Sequence, residues 1–212
     1  MREDPRKWIE EVAGPEAFAA LLEYQKKLQQ WNRKFALTSV DDGDIFNRLL
    51  APSAWLGITY SSREIGRVAD FGSGAGVPGL SMAIADSSNR YLLVEANDKK
   101  SAFLKACLSD RKINIYQNIS VMNERLGPEA WVDKVCSVVS RGAGSLLEIA
   151  KLWDDKLGSE GRMDIFKGEK WDEEIEELNR EYPQLKAARI EVPAWFGNLH
   201  VIEITREKRG MG

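Results

Sequence analysis

The chain is poor in the residues that metal-dependent and nucleophilic chemistry draws on. Its 212 residues include one histidine, His200, and two cysteines, Cys107 and Cys136. Two distant thiols and one imidazole do not make the closely spaced ligand set of a tetrahedral zinc site. A single histidine also argues against a serine–histidine–aspartate enzyme. The cysteines form neither a C-x-x-C pair nor a disulfide scaffold, which fits a reducing cytosol, so a cytoplasmic location is expected. Long apolar runs are missing too: none reaches the roughly 18 residues that cross a bilayer. The start, Met1-Arg2-Glu3-Asp4-Pro5-Arg6-Lys7, has no apolar secretory core, and no membrane partner is expected. Nor does one sign of charge dominate. Thirty Lys+Arg face 33 Asp+Glu, a formal net charge of −3. An anionic partner such as RNA must therefore be met by a local basic patch.

What is present is ordinary material for a globular fold: 43% hydrophobic residues and 30% charged residues of mixed sign. The length suits one compact domain carrying an added terminal element. Residues 1–60 read as a helical extension. Gly14-Pro15 punctuates a helix start. Phe18, Leu21, Leu22, Tyr24, Leu28, Trp31 and Phe35 then recur at mostly three- and four-residue steps, one apolar stripe on an amphipathic helix. A second helix is expected from about Asp44 to Trp55, kinked near Pro52.

From residue 66 onward the texture is alternating. Short β-rich runs at Arg67–Phe71, Arg90–Ala96, Ile113–Asn118, Lys134–Ser140 and Arg162–Lys167 are interleaved with helical stretches at 77–86, 99–110, 145–157 and 171–181. Such alternation predicts a parallel sheet with crossover helices. Lys186–Val192 and Leu199–Thr205, joined by a turn-rich segment, predict an antiparallel hairpin closing one edge. Seven strands in this arrangement are those of a Rossmann-like class I methyltransferase domain over 61–212.

The sharpest local signal is Val68-Ala69-Asp70-Phe71-Gly72-Ser73-Gly74-Ala75-Gly76-Val77-Pro78-Gly79, which ends one strand and opens a helix. Glycines there permit backbone conformations and a close ligand approach that a side chain would block. The segment Gly74–Gly79 satisfies G-x-G-x-x-G, so a nicotinamide cofactor competes as a reading. It is not a P-loop, because Leu80 stands where lysine should follow. Asp70 shifts the balance. An acid-x-G-x-G arrangement suits the amino-acid end of S-adenosyl-L-methionine, where a carboxylate can bind, or order water around, the ammonium. Glu95, about 20 residues on, is placed to accept hydrogen bonds from ribose hydroxyls under either reading. Tyr182-x-x-x-Lys186 matches a dehydrogenase pair only formally, since Pro183 disfavours the helix that would align the two.

Further segments carry a more specific resemblance. Gln30-Trp31-Asn32-Arg33-Lys34-Phe35-Ala36-Leu37-Thr38 resembles W-N-x-x-x-N-L-T, with Ala36 where the asparagine would stand. The glycine turn resembles D-V-G-S-G-A-G-F-P-G. Glu95 with Lys99-Lys100-Ser101-Ala102-Phe103-Leu104 resembles an acid followed by K-K-x-x-F-L. Ser140-Arg141-Gly142-Ala143 resembles S-R-A-F, and Lys167-Gly168 resembles L-K-G. Together these are similar to the glucose-inhibited division protein B family, bacterial methyltransferases that modify guanine N7 in small-subunit ribosomal RNA.

The resemblance implies S-adenosyl-L-methionine held by Asp70, Gly72, Gly74, Val77 and Glu95, under a third-strand turn at Ser120-Val121, and by Arg141, which could also touch RNA. It implies 16S rRNA or the 30S subunit as partner; a monomer is expected, with RNA contacts from Arg33, Lys34, Lys99, Lys100, Lys105 and Lys167. Between Asp98 and Lys112 five basic residues outweigh two acidic ones, which suits a phosphate track. Residues 169–181 hold seven acids against two bases and read as a solvated face. No acid–base residue is expected, because guanine N7 carries a lone pair and no proton. One stretch departs from the family: where it has R-H-x-x-D-S, this chain has Arg48-Leu49-Leu50-Ala51-Pro52-Ser53. The departure keeps open a methyltransferase of another RNA or small molecule, and a non-catalytic RNA-binding or assembly paralogue.

Overall fold

The computed structural model describes residues 4–127 and 133–206. Its chain opens with α1 (Pro5–Ala13), capped by Asp4, whose side chain accepts from the Arg6 amide at 3.0 Å. Gly14, at φ 87°, redirects the chain into α2 (Pro15–Phe35), a helix of 21 residues. The stripe read from the sequence is the packed face: Leu21, Tyr24 and Leu28 are fully buried, while Phe35, last on the stripe, is exposed. After α2 the chain tightens into a π-helical turn at Phe46–Leu50 and continues as α3 (Ala51–Ser61). The kink expected near Pro52 is this π-to-α junction, with Pro52 in the first turn of α3, where a missing N–H is tolerated.

The sheet follows: β1 (Arg67–Phe71), α4 (Gly79–Ile84), β2 (Arg90–Val94), α5 (Asp98–Leu108), β3 (Ile119–Met122), β4 (Val135–Arg141), α6 (Leu146–Trp153), β5 (Leu157–Lys167), α7 (Trp171–Glu181), β6 (Leu185–Arg189) and β7 (His200–Arg206). Strand order is β3-β2-β1-β4-β5-β7-β6. The first five strands pair in parallel, and β7 runs antiparallel between β5 and β6. This is the Rossmann-like methyltransferase sheet with its terminal hairpin. The order reverses between β1 and β4, and the crevice at the carboxyl ends of those two strands is where open α/β sheets take ligands.

Several boundaries differ from the sequence expectation. The third strand is Ile119–Met122, not Ile113–Asn118. Ile113 is buried against the end of α5, where its amide donates to Asp110 O, and Gln117 at φ 52° breaks any extended run before 118. Helix α6 stops at Trp153 instead of 157, and β5 begins five residues early, at Leu157.

Helices α1–α3 do not stand apart from the sheet. Ile9, Leu21, Tyr24 and Leu28 share one buried cluster with Leu80, Leu93 and Phe103 from α4, β2 and α5. A second tie is polar. The Tyr60 hydroxyl on α3 meets Asp164 on β5 and Ser137 on β4, and Arg162 clasps Asp164 through two bonds of 2.7 Å. Burying a carboxylate is tolerable when it is hydrogen-bonded and ion-paired in this way. On β7, the His200 ring lies 5.7 Å from that of Trp171 on α7.

Candidate functional site

The turn after β1 is built by its own backbone. Gly72 and Ser73 both donate to Val94 O at 3.0 Å, which ties the turn to the end of β2. The amides of Gly76 and Val77 return to Ser73 O at 2.7 and 3.2 Å. Gly72, Gly74 and Gly76 all have positive φ, at 71°, 56° and 89°. The space around them differs in an informative way. A Cβ on Gly72 would lie 2.5 Å from Ala143 Cβ, so this glycine lets the β4 loop close against β1. A Cβ on Gly74 would meet only Gly72 O at 3.7 Å, so the space above Gly74 is left open by the protein. Among the described residues the Ala75 amide has no hydrogen-bond partner. The turn thus combines a free N–H at Ala75 with an open position at the neighbouring Gly74.

Two carboxylates flank it. Asp70 is fully buried. Its Oδ2 accepts from the Gly79 amide at 2.9 Å, while Oδ1 has no partner. Burial pushes its pKa up to about 7, opposed by the Gly79 bond. Glu95 accepts from the Gly74 amide at 2.8 Å through Oε2 and from the Asn97 amide at 2.7 Å through Oε1. Each oxygen retains acceptor capacity for a sugar hydroxyl. An orphaned acceptor, a free donor and a space that a Cβ at Gly74 would enter fit the amino-acid and ribose ends of S-adenosyl-L-methionine. Val77 is half-buried and packs on the neighbouring core as the turn passes into α4.

The other expected cofactor residues are placed differently. β3 pairs Val94 with Met122, so Ser120 and Val121 lie short of the glycine turn. Ser120 is exposed and lines a polar groove of about 760 Å³ with Arg67, Asn89, Tyr116 and Asn118, toward the opposite end of the strands. The end of the strand is occupied instead by Asn123, whose Nδ2 donates to Glu95 O and Asp98 Oδ1, each at 3.3 Å. The shift follows from the misplaced third strand.

Arg141 does stand at the end of β4, but its guanidinium is engaged. Nη1 donates to Arg48 O at 2.8 Å, and the group lies over the Phe166 ring at 5.9 Å. Burial and the nearby Arg48 charge lower its pKa to about 10. Pro52, four residues after Arg48, has no N–H to offer that carbonyl. Arg141 therefore latches the Phe46–Leu50 turn over the crevice. In the segment that departs from the family, Leu49 and Pro52 are buried, and Ser53 Oγ donates to Leu49 O at 2.7 Å. The positions where the family has histidine and aspartate are apolar packing here. An apolar cavity of about 360 Å³, lined by Phe71, Ala143 and Leu152 with Glu148 and Lys151, adjoins the turn on the α6 side.

Of the expected RNA contacts, Lys167 is not free. Its ammonium binds Gly144 O and Glu174, each at 2.7 Å, and its side chain is only 12% exposed. It ties the β4 loop to α7. The remaining cations are brought together by packing. Lys27 on α2 binds Ala106 O on α5 and Asp110 just past its end, and Trp31 meets Phe103 with ring centroids 5.5 Å apart. α2 thus runs antiparallel to α5, which carries Arg33 and Lys34 toward Lys99 and Lys100. Residues 23–35 and 98–112 together hold nine basic side chains against three acidic ones. Lys34, Lys99 and Lys105 are exposed, Lys100 is half-buried, and Arg33 is 73% exposed with Asp42 at 3.7 Å.

Two features carry no motif and are visible only in the structure: Tyr24, whose hydroxyl donates to Ala75 O in the glycine turn, and the Arg141–Arg48 latch.

The sheet order, the acid-glycine turn and the open space above Gly74 define a class I S-adenosyl-L-methionine-dependent methyltransferase. Solved structures share the fold. A ribosomal protein L11 methylase from Lactobacillus delbrueckii superposes with a TM-score of 0.56 at 18% identity, covering 73% of this chain and 77% of that one. An S-adenosyl-L-methionine-dependent methyltransferase from Methanococcus maripaludis gives 0.55 at 15% identity, covering 80% and 92%. The chain belongs to the GidB family, rRNA small subunit methyltransferase G, whose model matches residues 17–202. Ribosomal RNA small subunit methyltransferase G of Shigella dysenteriae is 28% identical over 189 residues, covering 89% of this chain and 88% of that protein. The protein of that name from Acinetobacter baumannii is 28% identical over 195 residues, covering 90% of each.

Proposed function

We propose that this chain transfers a methyl group from S-adenosyl-L-methionine to N7 of a guanine in 16S ribosomal RNA, as a cytoplasmic monomer. The observation that carries the cofactor half is the glycine turn, where the Ala75 amide is free, a Cβ at Gly74 would meet only Gly72 O, and the buried Asp70 Oδ1 at the turn's base has no partner. Family membership and the α2/α5 basic face support the RNA half. No helix among the described residues is long and apolar enough to cross a membrane.

The bound cofactor supplies an electrophilic methyl group on a positively charged sulfur. The chain's own task is positioning. The Ala75 amide suits the ligand's carboxylate, Asp70 suits its ammonium directly or through water, and Glu95 suits its ribose hydroxyls. Guanine N7 has a lone pair and no proton to lose, so the transfer requires alignment and a tolerant electrostatic environment, with no general base. Arg33, Lys34, Lys99, Lys100 and Lys105 suit phosphate oxygens of the RNA beside the crevice.

Buried Leu49 and Pro52 favour a second reading. With apolar side chains where the family has histidine and aspartate, the crevice could take another RNA or a small molecule. It could equally belong to a protein that binds RNA without modifying it. Labelled methyl transfer separates these readings. Incorporation into 30S subunits or free 16S rRNA supports the proposal; full cofactor binding with no incorporation into either favours the second.

A further inference from the structure

We infer that Tyr24, on the helical extension, is a positioning residue for the cofactor-binding turn, so that cofactor affinity depends on an element outside the sheet. The inference rests on S-adenosyl-L-methionine binding at that turn. Tyr24 is fully buried, and its hydroxyl donates to Ala75 O, in the middle of Gly74-Ala75-Gly76. A Cβ on Gly76 would lie 2.7 Å from the same hydroxyl, so the tyrosine sets how closely the chain passes at 76 as well. Its ring stacks on Phe103 of α5 at 6.3 Å between centroids, and that helix starts just after Glu95 and Asn97. One side chain therefore touches the turn and the helix that follows the ribose-side carboxylate.

The chemistry of the turn shows what this contact does. The Gly74 amide is held by Glu95, and the Gly76 amide by Ser73 O. The Ala75 amide, between them, is the free donor. The turn's glycines leave its backbone more conformational freedom than any other sequence would. Drawing the Ala75 carbonyl down to Tyr24 fixes the peptide that follows Ala75, while Glu95 holds the Gly74 amide before it, so the residue carrying the free N–H is anchored on both sides. Without the hydroxyl, that carbonyl is buried and unsatisfied, and the turn can rotate to find another partner.

The test compares two variants of the full chain by calorimetric titration with S-adenosylhomocysteine. Tyr24→Phe keeps the ring, its stacking and its volume and removes only the hydroxyl. Leu28→Ala, on the same helix and in the same buried cluster, removes packing without touching the turn. Urea denaturation gives the stability of each. The expected result is a roughly 5–10-fold weaker affinity for Tyr24→Phe, the scale of one missing hydrogen bond, with Leu28→Ala binding as the unmodified protein does although it loses more stability. Unchanged affinity in Tyr24→Phe would overturn the inference. So would a loss in both variants that simply tracks stability, which would make Tyr24 one more core residue. Failure of the unmodified protein to bind would sink the cofactor reading itself and is read directly from the reference titration.

Discussion

Asp70 is a buried carboxyl with one oxygen unpartnered and a pKa raised to about 7, which makes ligand binding and stability depend on pH in opposite ways. If the cofactor's ammonium is met by the carboxylate, only the ionised form binds well, and the apparent dissociation constant scales inversely with its fraction. That fraction is about 0.1 at pH 6 and about 0.9 at pH 8 for a pKa near 7. S-adenosylhomocysteine, whose ammonium stays protonated through this range, should therefore bind about tenfold more tightly at pH 8, with close to one proton released per ligand at pH 6. Stability runs the other way. The folded pKa lies above the unfolded one, so the contribution is fully present below about pH 4 and is lost as pH rises through 7. Three units correspond to roughly 4 kcal/mol. Asp70→Asn keeps an acceptor for the Gly79 amide and removes the charge. It should be more stable than the unmodified chain at pH 8 yet bind the ligand more weakly there, without the pH slope. Calorimetry in two buffers of different ionisation enthalpy reads affinity and proton release together. A flat affinity profile with no proton release, or an identical slope in Asp70→Asn, would refute the assignment of Asp70 to the ammonium.

Other consequences concern the surroundings. Replacing Lys99, Lys100 and Lys105 with alanine should flatten the salt dependence of RNA binding, the log–log slope falling by about 0.7–0.9 for each phosphate no longer neutralised; an unchanged slope in filter binding would assign that face to solvent. Ala36 caps α2 in the left-handed region at φ 47°, so Ala36→Gly should raise stability in urea denaturation by about 0.5–1 kcal/mol. Arg141→Met should cost about 1–3 kcal/mol by leaving Arg48 O without its guanidinium partner. In a Pro52→Ala background, where residue 52 regains an N–H for that carbonyl, the cost should be smaller by at least about 0.5 kcal/mol; equal costs would show that the latch does not depend on the proline.

How much of this was legible in the sequence depended on how local each signal was. The glycine turn could be read because acid, glycines and proline act within ten residues of one another, and Asp70 and Glu95 flank it as expected. The α2 stripe and the terminal hairpin were equally legible, since helical and alternating periodicity are properties of neighbours. The third strand was not. Ile113 and Ile115 look like strand residues, but they close the end of α5, and the real strand is a four-residue edge whose Ser120 is exposed. With the strand there, Ser120 and Val121 fall short of the glycine turn and Asn123 stands at the strand end beside Glu95. Lys167 looked available to RNA because its neutralising partner, Glu174, arrives only when α7 packs beside the β4 loop. Arg141 was placed at the correct strand end, but the carbonyl that holds it lies 93 residues earlier in the chain. Tyr24 is indistinguishable in sequence from the other apolar members of its stripe; only the fold sets its hydroxyl against the turn.

The most direct measurement is the identity of the methylated atom. Purified protein, labelled S-adenosyl-L-methionine and 30S subunits or free 16S rRNA would be incubated together, the RNA digested to nucleosides, and the labelled product identified by chromatography and mass. The label is expected in 7-methylguanosine, at one position of the 16S chain. Label in any other nucleoside, or RNA left unlabelled by a protein that binds the cofactor fully, would contradict the account.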